Sequence, residues 1–155
     1  MLKTISGDLL DFTDGIICHQ VNYLGVMGGG VAAAIRENIL TEDQYNSYVS
    51  YCRKYGRTAI GTVQFIGGGL IVANMFCQED FTAAGISHTD YTALRQCLIR
   101  VRSLAQIQGK RVYLPYHIGC GIANGDWTIV ESIIQDVFDC YPVETYIVKR
   151  GHAEK

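Results

Sequence analysis

Proline is nearly missing from this chain, Pro115 and Pro142 being the only two, so no proline-rich linker or stalk divides it. No apolar run has transmembrane length, and the first seven residues lack the basic and apolar regions of a signal peptide, so the chain is expected in the cytoplasm, away from any membrane. Charge of one sign is also lacking: 13 Lys and Arg stand against 15 Asp and Glu, a net charge of −2. No broad basic face therefore argues for duplex nucleic acid, and any phosphate would have to be held locally, mostly by backbone. None of the six cysteines, Cys18, Cys52, Cys77, Cys97, Cys120 and Cys140, has a partner at CxxC spacing. That removes zinc ribbons and thioredoxin-like centres, and no metal or other cofactor is expected.

What remains is a chain of 155 residues, 48% hydrophobic and 18% charged, which fits one globular domain over residues 1–155 with a frayed tail at 151–155. Apolar β-rich runs predict strands at 2–6, 15–19, 111–115 and 144–149. Residues 59–66 and 70–78 flank Gly67, Gly68 and Gly69 and read as a hairpin. Helical spacing predicts helices over 30–40, 41–55 and 91–108, the last two stopped by Gly56 and Gly109, and another carrying Val130, Ile133, Ile134, Val137 and Phe138. Alternation of strands and helices implies an α/β fold, a mixed and mainly parallel sheet with helices on both faces.

Two glycine-dense loops stand out, each between a strand and a helix. The first contains Asn22, Gly25, Gly28, Gly29 and Gly30; the second runs Ile118-Gly119-Cys120-Gly121-Ile122-Ala123-Asn124-Gly125-Asp126. Glycine lets backbone approach a ligand closely, and the first amides of the following helix have no carbonyl partner, so an anion can satisfy them. Both loops also satisfy a plain reading as tight turns. Two of them in matching contexts, at the carboxyl ends of strands, point instead to a diphosphate.

These motifs, with the opening Gly7-Asp8-Leu9 and the strand Val72-Ala73-Asn74-Met75-Phe76 leading to Gln78, resemble the macro domain family over almost the whole chain. The wording His19-Gln20-Val21-Asn22 and Gly121-Ile122-Ala123-Asn124-Gly125-Asp126-Trp127 is most similar to a phage and bacterial branch labelled ADP-ribose-1''-phosphate phosphatase, near the terminal ADP-ribose protein glycohydrolase group. The resemblance implies a three-layer α/β/α fold with a six-stranded sheet, and ADP-ribose or a derivative as ligand. It implies that Asp8 accepts the adenine amine and the Leu9 amide contacts the ring. Asn22 would bond the distal ribose. The amides of Gly28, Gly29, Gly30, Gly119, Cys120, Gly121 and Ile122 would hold the diphosphate, with Gln78 near the distal end.

For chemistry, the departures matter most. Ala32 stands where related ester hydrolases carry an aspartate, and Met75, Phe76 and Ala123 stand where the glycohydrolase group has its lysine and aspartate. His19 is then the first candidate for moving a proton and Asp126 the second. His19 also reads as a bonded histidine at a strand end, and Asp126 as an N-cap. His117 is expected beside the cleft, and His88 in a mobile loop before the helix at Tyr91. Three activities are expected as alternatives: a phosphatase on ADP-ribose 1''-phosphate, a hydrolase freeing ADP-ribose from a modified protein or nucleic acid, or a reader without turnover.

Overall fold

Strands form where apolar residues alternate between two buried faces. The computed structural model describes residues 1–81, 86–120 and 123–150. In chain order it contains β1 (Leu2–Ser6), β2 (Gly15–Val21), α1 (Gly30–Asn38), α2 (Glu42–Tyr55), β3 (Val63–Gly67), β4 (Leu70–Phe76), β5 (Gln78–Phe81), β6 (Ile86–Thr89), α3 (Tyr91–Gln108), β7 (Val112–Pro115), α4 (Trp127–Phe138) and β8 (Thr145–Lys149). Six strands make one sheet in the order β1-β8-β7-β2-β4-β3, all parallel neighbours except the antiparallel pair β3 and β4.

Odd and even residues of one strand enter different cores. Ile16 and Cys18 pack with Ile71, Ala73, Val112 and Leu114 against α3 and α4, whereas Ile17, Val72, Tyr113 and Val148 pack beneath α1. Val21 and Phe76 join Tyr45, Tyr48 and Cys52 of α2. Helices therefore cover both faces, giving the three layers that the resemblance implied. Local signals fix the ends: Thr41 and Gln44 form a reciprocal capping box for α2, Asp90 caps α3, and Gly109, with φ +64°, closes α3 in the left-handed region.

Several boundaries differ from expectation. β2 continues past His19 to Val21, and α1 stops at Asn38. Ala59, expected to open a strand, instead ends a 3-10 turn over Gly56–Ala59, and β3 begins at Val63. The strand expected through Gln78 ends at Phe76, and Gln78 opens a separate two-stranded sheet of β5 and β6. His88 is in that sheet, opposite Glu79, and not in a loop. Gly121, Ile122 and the tail 151–155 lie outside the described residues. Among the described residues, no helix is long and apolar enough to cross a membrane.

Candidate functional site

Every parallel strand of the sheet points the same way, so the connections after β1, β2, β7 and β8 emerge at one edge. There they surround a cleft of about 640 Å³. Asp8, Leu9 and Leu10 form one wall, Gly30, Val31 and Ala34 of α1 another, and Pro115 and Tyr116 with Val148, Lys149 and Arg150 complete it. The size falls within the range for small-molecule sites, and the lining is apolar with a few convergent polar groups.

Asp8 holds its place by capping a 3-10 turn, Leu9–Asp11: its Oδ1 accepts the Leu10 amide at 2.9 Å. That leaves Oδ2 for a ligand. Leu9, 7% exposed, anchors the turn in the core under α1. Opposite, α1 begins at Gly30 with Gly29 as N-cap and no side chain bonded to its first amides. A glycine cap leaves those donors unmet, which makes this end of the helix receptive to an anion. Gly30 lines the cleft with φ +57°, and a Cβ added there would meet nothing within 4 Å.

Asn22 organises the first loop from within. Its Oδ1 accepts the Leu24 amide at 3.0 Å and the Tyr48 hydroxyl at 3.0 Å, while Nδ2 donates to the Val26 carbonyl at 2.8 Å. The Tyr45 hydroxyl donates to the Gly25 carbonyl at 2.9 Å, and Gly25 itself has φ +84°. Those bonds occupy the groups that were expected to meet a ribose.

The second loop departs from the same edge, on the strand next to β2. Gly119 has φ +76°, and its carbonyl receives the Thr89 hydroxyl at 2.6 Å and the Gly125 amide at 2.8 Å. The Cys120 amide donates to the His117 carbonyl at 3.0 Å, so it is already committed to a turn. Burial raises the Cys120 thiol above its ordinary pKa, which keeps it protonated and a poor nucleophile. Tyr116 opens this loop, stacked on His117 with centroids 3.9 Å apart and edge-on to Trp127 at 5.1 Å. Lys149 Nζ sits 4.9 Å from the Tyr116 centroid. The cleft thus joins the first loop's helix to the root of the second loop, and neither Gly119 nor Gln78 is part of its lining.

Neither candidate for proton transfer sits in the cleft lining. His19 is 1% exposed, and its Nε2 donates to Asn74 Oδ1 at 2.5 Å. Burial pulls its pKa down to about 4, against the lesser, opposing influence of Asn74. A neutral imidazole sealed beneath the helices cannot exchange a proton with a ligand, which corrects the expectation for His19. Asp126 is exposed at the start of α4, where Oδ1 accepts the Thr128 amide at 2.9 Å; its own amide donates to the Tyr91 hydroxyl at 2.9 Å. It caps a helix. Gln78 belongs to a hydrogen-bonded group with Gln20 and Asp80.

Of the lining, sequence reasoning reached only Asp8, Leu9 and Gly30; it missed Leu10, Val31 and Ala34, the Pro115–Tyr116 pair and the β8 end with Val148, Lys149 and Arg150. The adjacent cations Lys149 and Arg150, at the carboxyl end of a parallel strand, were the available signal. Among the described residues, no group of three His, Cys, Asp or Glu side chains is placed to hold a metal ion.

No family model matches the chain. It is 26% identical over 162 residues to an ADP-ribose 1''-phosphate phosphatase of Candida albicans, spanning 96% of this chain and 100% of that one. It is 27% identical over 141 residues to an uncharacterized 17.5 kDa protein of Enterobacteria phage T4, spanning 86% and 88%. Among solved structures, a macrodomain protein from Streptomyces coelicolor superposes with a TM-score of 0.75 at 25% identity, covering 96% of this chain and 99% of that one. The macrodomain of Mycobacterium tuberculosis DarG gives a TM-score of 0.79 at 22% identity, covering 97% of each. Thermosipho africanus DarTG in complex with ADP-ribose gives 0.76 at 16% identity, covering 96% of this chain and 41% of that one. The chain thus has the macro domain fold, and over nearly its whole length it is similar in sequence to a phosphatase of ADP-ribose 1''-phosphate.

Proposed function

We propose that the cleft binds ADP-ribose or a derivative, with adenine between Leu9 and the Asp8 carboxylate and the diphosphate on the open first turn of α1. The observation that carries this reading is the convergence of residues 8–10, 30–34, 115–116 and 148–150 around one cleft at the carboxyl edge of the sheet. Charge-assisted bonds from amides to phosphate contribute about 1.5–3 kcal/mol each, so three or four of them support micromolar affinity. The neighbour DarTG is described in complex with ADP-ribose, which favours the same ligand class here.

The reaction we assign is hydrolysis of ADP-ribose 1''-phosphate, supported by the Candida phosphatase matched through its full length. With His19 sealed off and Asp126 acting as a cap, the chain's contribution is to bind and orient the substrate. General acid–base help is worth about 10²–10⁴-fold, so turnover is expected to be slow. That same feature favours a second reading, an ADP-ribose reader without turnover. Calorimetry with ADP-ribose tests the binding, and release of inorganic phosphate from ADP-ribose 1''-phosphate tests the reaction. Binding without phosphate release selects the reader, and release of ADP-ribose from a modified macromolecule without free phosphate selects de-ADP-ribosylation. Absence of binding removes all three.

A further inference from the structure

We propose that Lys149 and Arg150 form a second anion subsite in the cleft, one that takes a phosphate carried on the adenosine ribose of the ligand. The class of ligand this selects is ADP-ribose bearing a phosphomonoester at its adenosine 2' or 3' oxygen. The 2' compound is what NADP leaves when it loses nicotinamide. The proposal rests on the reading of the cleft as an ADP-ribose site.

The sheet puts these two cations at the adenosine end. β1 and β8 are parallel with Ser6 opposite Lys149, and the Gly7 amide donates to the Lys149 carbonyl at 2.9 Å. The chain leaving β1 through Gly7 and Asp8 and the chain leaving β8 through Arg150 thus run out of the sheet side by side. On the other flank the Tyr116 amide donates to the Val148 carbonyl at 3.0 Å, and Lys149 Nζ stands 4.9 Å from the Tyr116 ring centroid. Both cations are exposed and both line the cleft. Asp8 is the only acidic residue of that lining, and its Oδ1 already accepts the Leu10 amide. Among the described residues the ion pairs belong to Arg57, Arg95, Lys110 and Arg111, so neither Lys149 nor Arg150 is matched to a carboxylate there.

Two neighbouring cations without a carboxylate favour an anion, and the shape of the ligand decides which one. A ribose carries its 5' carbon on one edge and its 2' and 3' oxygens on the other. With adenine at Leu9 and Asp8 and the diphosphate on the first turn of α1, the 2',3' edge turns away from α1, towards residues 148–150. The diphosphate has its donors in the α1 amides, so the cations are left for a group on the far edge of the sugar. An arginine beside the adenosine ribose is also how doubly wound folds accommodate a 2'-phosphate. Its guanidinium meets two phosphate oxygens at once, and a neighbouring lysine adds a point charge.

Calorimetry on the wild-type protein compares ADP-ribose with 2'-phospho-ADP-ribose, and AMP with 2',5'-ADP and 3',5'-ADP. The extra phosphate is expected to lower Kd about tenfold at low salt. That gain should shrink at about 1 M salt, because exposed charges are screened. The two bisphosphates tell which oxygen carries the group, and a gain from either supports the proposal. With Arg150→Gln and Lys149→Gln combined, the ratio of Kd values with and without the phosphate is expected to fall to about one. No gain from a phosphate at either oxygen overturns the proposal, as does a gain that persists in the doubly substituted protein. If the substitutions weaken ADP-ribose and its phosphorylated form equally and keep the ratio, the cations serve the diphosphate and the proposal is overturned as well. Wild-type protein that binds ADP-ribose without preference leaves the cleft assignment standing, whereas protein that binds neither ADP-ribose nor AMP removes both.

Discussion

Gly30→Ala and Gly109→Ala form a matched pair that isolates the anion cradle. Both glycines hold a left-handed φ, +57° and +64°, and at both an added Cβ meets nothing within 4 Å. The cost to folding is then backbone strain alone, about 1–2 kcal/mol for an alanine in that region. In a chain of this size 1 kcal/mol corresponds to about 2–4 °C, so each variant should melt about 2–8 °C below wild type. Only Gly30 lines the cleft. A phosphate oxygen bonded to the first amides of α1 must come to about 2.8 Å of a nitrogen, and a methyl group at Gly30 occupies part of that approach. Displacing one charge-assisted bond costs about 1.5–3 kcal/mol, or about 10- to 150-fold in Kd. Melting curves and calorimetric titration with ADP-ribose should therefore show equal losses of stability but weakened binding in Gly30→Ala alone. Equal affinities for the two variants would refute the assignment of the phosphates to α1.

Asp8→Asn keeps an oxygen for the Leu10 amide, and asparagine caps about as well as aspartate, so stability should hold while ADP-ribose affinity falls about tenfold; an unchanged calorimetric Kd removes adenine from that wall. His19 has a folded pKa of about 4 against 6.5, so the native state binds this proton more weakly than the unfolded chain does. Its contribution to stability is complete above pH 6.5 and is lost as pH falls from there towards 4, on the order of 3 kcal/mol in all. Urea unfolding should show that loss in wild type and a smaller one in His19→Gln, and an imidazole resonance of His19 titrating near 6.5 would contradict its burial. Cys18, Cys52, Cys77 and Cys97 are buried, Cys120 is half-buried with its thiol pKa raised, and Cys140 is exposed, so native protein should show one fast thiol towards Ellman's reagent, lost in Cys140→Ser.

The elements with long, strongly periodic patterns were readable from sequence. Glycine stops at Gly56 and Gly109 fell where helices end, because a left-handed residue closes a helix at little cost when it has no Cβ. β5 and β6 escaped notice because each is only four residues long, QEDF and ISHT, with a single apolar residue apiece, too little for an alternating pattern to show. His19 was misread for a different reason. A polar residue near the end of an apolar strand signals either access to a ligand or a buried polar pair, and only the register that sets His19 beside Asn74 decides between them. Asn22 shows the same ambiguity, since the residue type that recognises a ribose also bonds its own loop. The lining from β8 depends on β8 lying between β1 and β7, a neighbourhood that local sequence does not encode.

ADP-ribose is proposed to occupy the cleft between Asp8, Gly30 and Tyr116. The most direct measurement is a two-dimensional amide NMR titration of the labelled protein with ADP-ribose. The predicted result is saturable shifts concentrated at Leu9, Leu10, Gly30, Val31 and Tyr116. Shifts concentrated instead in the groove between α3 and α4, at Thr92, Arg95, Thr128 and Ser132, or no shifts at millimolar ligand, would contradict it.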